Sequence, residues 1–102
     1  MPDIEQARQT LLARILEGGG EASRAQRRSA FDNSGLAGPL AALVDTVARN
    51  AHAVADADIA AAQASGLSED QIFEIVICAA IGEATRQHDA ALAALDAAYG
   101  KA

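Results

Sequence analysis

Apolar residues recur along this chain every three or four positions, which is the spacing of a helix with one buried face. Ile4, Ala7, Leu11, Leu12, Ile15 and Leu16 form the first such stripe. It predicts a helix over about Asp3 to Glu17, with Asp3 as N-cap and Gly18-Gly19-Gly20 as the stop. A polar helix from about Glu21 to Phe31 follows; it offers little apolar surface beyond Ala25, Ala30 and Phe31, so it is expected on the outside. Asp32 to Pro39 is dense in turn formers and reads as a loop. Pro39 suits the first turn of a third helix, carried to about His52 by Leu40, Leu43, Val44, Val47 and Ala51. A fourth helix is expected from Asp56, its N-cap, through Ser65, with Gly66 as the C′ residue. Ser68 to Gln71 fits a capping box that opens a fifth helix. Its run from Ile72 to Ile81 is apolar almost all round, interrupted only by Glu74, and belongs in a core or an interface. Gly82 is expected to break or kink the chain before a last helix with Ala84, His88, Ala91, Leu92, Leu95 and Tyr99 on one face.

Composition changes this picture in one respect. The 102 residues include 27 alanines against 24 larger residues drawn from Val, Ile, Leu, Met, Phe and Tyr. Alanine favours helix and close helix packing, and the scarcity of aromatic and β-branched runs argues against sheet. An all-α single domain of five to six helices follows. So few large side chains make a thin core for an isolated chain, which favours a homo-oligomer. The formal charge of −6 disfavours nucleic acid as a partner. One cysteine excludes an internal disulfide, and no signal-peptide core or bilayer-length apolar stretch is present. A cytoplasmic location without membrane contact is expected, and no metal or cofactor is indicated.

The stretch from Leu40 to Leu95 reads helix, tight junction, helix ending in Gly66, SEDQI opening an apolar helix, then GEATRQHDAALAAL. With its GLSED turn at Gly66 to Asp70, it resembles the core repeat of the alkylhydroperoxidase-D-like, or carboxymuconolactone decarboxylase, superfamily. The resemblance divides the chain into N-terminal helices and loop at 1–35 and core helices at 36–99. It also implies a Cys-x-x-Cys-x-x-x-His junction. Counting back from Gly66, the cysteine positions hold Ala51 and Val54, and the histidine position holds Asp58. Thiol peroxidase chemistry needs one sulfur to attack and another to resolve the sulfenic acid, so alanine and valine cannot sustain it. The superfamily also includes decarboxylases and small cysteine-free paralogues, and its members generally form dimers, trimers or hexamers.

Several residues remain as candidates for chemistry. Between Arg49 and Asp58 the junction gathers an imidazole, a guanidinium and two carboxylates. His52 and Asp56 would share a face if the helix continued, as an acid/base pair or a metal fragment. The structural alternative has Asp56 capping a helix, Asp58 at its positive end, and Arg49 and His52 at the negative end of the preceding helix. Glu74 is expected either to pair with a cation such as Arg86 or to face water, and Arg49, Glu74 and Arg86 are the candidates for touching a ligand. Cys78 reads as a small core residue and His88 as a core or interface histidine. Arg24, Arg27 and Arg28 fall at i, i+3 and i+4 and are expected to form a solvated or partner-facing surface.

Three functions are compatible with these residues. The first is a catalytically degenerate member of the superfamily acting by oligomeric assembly, including as a hetero-oligomeric partner of a cysteine-bearing paralogue. The second is a small-molecule binder or cysteine-independent, decarboxylase-like enzyme using His52, Asp56 and Asp58. The third is a peroxidase-related antioxidant protein working through Cys78 alone.

Overall fold

The computed structural model describes residues 3–100 and is all-helical. Its elements are α1 (Ile4–Glu17), α2 (Arg24–Asp32), α3 (Gly38–Asn50), a single 3-10 turn (Ala51–Ala53), α4 (Asp56–Ala64) and α5 (Glu69–Ala98). Local chemistry accounts for most of the boundaries. Asp3 accepts from the Gln6 N–H at 3.0 Å. Ser68 accepts from the Gln71 N–H at 3.1 Å while the Gln71 amide oxygen takes the Ser68 N–H at 2.8 Å, the reciprocal box read from the sequence. Gly66 stands at φ 108°, the left-handed conformation that ends α4 at little steric cost.

Three boundaries differ from the sequence expectation. The second helix begins at Arg24, later than expected, because Ser23 and Gln26 form a capping box of their own. Asp56 is not the N-cap of α4 but its first residue. The cap is Ala55, whose N–H donates to Asp58 Oδ2 at 2.8 Å, so Asp58 supplies half a capping box from the third position. Gly82 neither breaks nor kinks the chain into two helices; α5 runs unbroken for 30 residues.

The core draws on all five helices. Leu43, Val44, Ile75 and Cys78 are its largest fully enclosed side chains, joined by Leu16, Phe31, Leu40, Val47, Ala62 and Ile72. The first half of α5 is the axis, with α2 and α3 making its most extensive contacts. The expectation that the second helix lies outside is therefore overturned. Arg27, Ala30 and Phe31, at i, i+3 and i+4, turn inward, while Arg24, Ala25 and Arg28 remain exposed. Small residues permit this packing. A Cβ at Gly82 would overlap the Phe31 carbonyl, so glycine lets the end of α2 lie directly on α5.

The molecule is elongated, with extents of 50 × 28 × 21 Å. The long axis matches α5, which at 1.5 Å per residue is about 45 Å long. Every residue from Arg86 to Gly100 is exposed. The distal half of α5 thus projects beyond the bundle, with α1 alongside its base.

Candidate functional site

Most of the junction from Arg49 to Asp58 is open to solvent. After the 3-10 turn, Val54 and Ala55 are extended, so the helix does not continue and His52 and Asp56 do not share a face. His52 and Asp56 are exposed, and Asp58 is spent on the Ala55 N–H. Arg49 turns back along its own helix, its Nε donating to Asp45 Oδ1 at 2.6 Å. Asp45 also accepts from Asn33 Nδ2 at 3.0 Å, tying the end of α2 to α3. Those two bonds, Asn33 first and Arg49 second, hold the Asp45 carboxyl below its usual range. Among the described residues no three His, Cys, Asp or Glu side chains are grouped as a metal site would need.

Glu74 and Arg86 do not pair; on one helix, twelve residues separate them by about 18 Å. Glu74 is half-buried and accepts the Glu21 N–H and the Ala22 N–H, each at 2.9 Å. These bonds hold its carboxyl below the usual range, against the opposing effect of burial. Gly20 permits the wrap, since a Cβ there would stand 2.6 Å from Glu74 Oε1. Arg86 instead donates from Nη1 to the Phe31 carbonyl at 2.6 Å, satisfying a carbonyl at the end of α2. Its Nη2 also pairs with Glu83 at 3.0 Å. Glu74 and Arg86 are therefore engaged in holding a loop and a helix end, and Arg49 pairs within its own helix.

A cleft between α1, α2 and α5 holds the feature that sequence reasoning missed. It has a volume of about 210 Å³ and is walled by Arg14, Ile15, Gly19, Arg27, Phe73, Glu74, Ile77 and Cys78. Arg27 is only 5% exposed. Its Nη1 donates to the Ile15 carbonyl at 3.1 Å, while its Nε is buried without an acceptor. The signal was the inward spacing it shares with Ala30 and Phe31, masked by its charge. Cys78 lies against the same wall, its thiol 3.8 Å from the Ile15 carbonyl. Burial pushes that thiol's pKa up, and the neighbouring Arg27 only partly offsets the effect.

The third feature is an apolar seam. A groove of about 220 Å³ runs between α1 and α5, walled by Arg8, Leu11, Leu12, Ile81, Ala84, Thr85 and His88. His88 is not a core residue: its side chain is half-exposed, and its Nδ1 lies 3.2 Å from Asp89 Oδ1. Beyond the groove the same face of α5 carries Leu92, Leu95 and Tyr99, which are 47%, 51% and 80% exposed. Ile4 and Leu11 of α1 are exposed as well. Comparison with known proteins finds no matching family model, no matching curated protein and no matching solved structure.

Proposed function

We propose that this protein acts by assembly, as a cysteine-pair-free relative of the alkylhydroperoxidase-D-like helical proteins that pairs with a second copy of itself through the distal half of α5. The observation that carries this reading is the row of Leu92, Leu95 and Tyr99 on a helix segment that, among the described residues, is left exposed. An isolated helical segment of about a dozen residues is marginal in water, and most helical stability comes from packing an apolar face. Here the described residues do not supply that packing.

Magnitudes support the same reading. A compact monomer of 10.4 kDa exposes about 5,400 Å², whereas this chain exposes 6621 Å². The excess, about 1,200 Å², exceeds the roughly 800 Å² that each partner buries in a standard interface. The radius of gyration is 15.5 Å, where a compact chain of this length has about 13 Å. The occupant is argued from the face itself. Asp89 and Asp96 are the only carboxylates between Gln87 and Ala98, and most of the remaining residues are alanines. A second α5 laid antiparallel about a two-fold axis sets Leu92 and Leu95 of each copy against small residues of the other. The buried Cys78, its thiol shifted away from reactivity, favours assembly over peroxide chemistry.

Sedimentation equilibrium of the purified chain tests the reading. A mass of twice the chain mass at micromolar concentration, reverting to the monomer in Leu92→Glu/Leu95→Glu, is the expected result. A monomer at all concentrations overturns it. Recovery from the native host of a stoichiometric complex with a different chain, in place of the homodimer, also overturns it.

A further inference from the structure

We propose that the cleft between α1, α2 and α5 binds a small organic carboxylate. Arg27 and Arg14 take its head, and its apolar body lies on Phe73 and Ile77. A guanidinium stays charged at any physiological pH, and burying one without a counter-ion is unfavourable. Arg27 is nine-tenths buried, yet among the described residues no carboxylate lies within 4.0 Å of it. Its contact with the Ile15 carbonyl helps close the end of α1 but occupies one of five donors, and the Nε–H has no acceptor. Glu74, in the same cleft, attracts Arg27 through space but forms no ion pair with it, its oxygens accepting the Glu21 and Ala22 N–H groups.

The charge count and the walls define the ligand class. Two arginines against one glutamate leave the cleft with one surplus positive charge, which a single carboxylate neutralises. A carboxylate also matches the planar donor fork of arginine. The opposite wall is apolar and wet: Phe73 is 67% exposed and Ile77 37%. A dianionic phosphate would overcharge the site and leave that wall bare. The volume of about 210 Å³ accommodates a ligand of roughly ten non-hydrogen atoms, below the usual drug-sized pocket. A carboxylate bearing a short apolar chain fits both requirements.

The test uses octanoate as probe, with 1-octanol as its neutral counterpart. Binding is followed by titration calorimetry and by the backbone amide and Arg Nε–H resonances of the full-length protein. Octanoate is expected to bind saturably and shift the Arg27 Nε–H signal, with 1-octanol at least about tenfold weaker. Because Arg27 also ties down α1, the variant to read is Arg14→Gln, on the exposed rim. It is expected to weaken octanoate roughly threefold to tenfold with the fold intact. Equal binding of octanol and octanoate, shifts confined to Leu92, Leu95 and Tyr99, or no binding at millimolar octanoate each overturn the proposal. Leu92→Glu/Leu95→Glu, which tests assembly, is expected to leave octanoate affinity unchanged, so the two readings fail separately.

Discussion

The two halves of α5 are one continuous helix in two different environments. From Ile72 to Gly82 the helix is the axis of the core, with Ile75, Cys78 and Ala79 enclosed by α1, α2 and α3. From Arg86 to Gly100 every residue is exposed, although Leu92 and Leu95 continue an apolar stripe. Periodicity therefore reports which side of a helix is apolar, not whether anything covers it. The first half contributes to the stability of the single chain, and the second has side chains suited to a contact the single chain does not make.

That contrast is sharpest in the core. Ile75→Ala is expected to cost about 2–5 kcal/mol in chemical denaturation, because the site is fully enclosed and collapses only in part. Leu92→Ala is expected to change the dilute monomer by no more than about 0.5 kcal/mol. At higher concentration its Tm should fall relative to the parent, since only the associated form uses that side chain. Equal costs for the two substitutions would remove the distinction between the halves.

Gly82→Ala probes the border between them. The added Cβ meets the Phe31 carbonyl, a backbone atom that must move, and the Arg86 contact to that carbonyl moves with it. A loss of about 1–3 kcal/mol is expected, read from the denaturation midpoint.

Glu74→Gln is expected to cost about 1–2 kcal/mol at neutral pH, through the two N–H groups that hold its carboxylate. The effect carries a pH signature. The native carboxyl titrates below its ordinary value of 4.5, so the unfolded chain binds the proton more tightly. The stabilisation is complete above that value and is lost as pH falls through the lower native one. The Tm gap between parent and variant should therefore narrow on acidification; a gap independent of pH would place the contribution elsewhere. A smaller cost than that of Glu74→Gln is expected for Asp58→Ala, about 0.5–1 kcal/mol for half a capping box at an exposed helix start.

Much of the fold was legible because its causes are local. The Ser68 and Gln71 box, the Gly66 terminus and the stripes through α1 and α3 each depend on residues within about four positions of one another. The candidate sites were less legible. His52, Asp56 and Asp58 are close in sequence, but two extended residues, Val54 and Ala55, interrupt the helix that would have put His52 and Asp56 on one face. Arg27 carried the right spacing for burial, yet an arginine weighs against it in any reading by residue type.

The sequence by itself determined an all-helical chain, where most of its helices begin and end, and which faces are apolar, since backbone hydrogen bonding and capping act over one turn. Packing was needed to show that α2 lies inside, that Gly82 is a contact and not a break, and that Glu74 holds a loop 53 residues away along the chain. It alone left Arg27 enclosed with its Nε–H unpaired and the end of α5 exposed. These outcomes depend on which surfaces meet, and that is set by the packing of side chains distant in sequence, which no local pattern encodes.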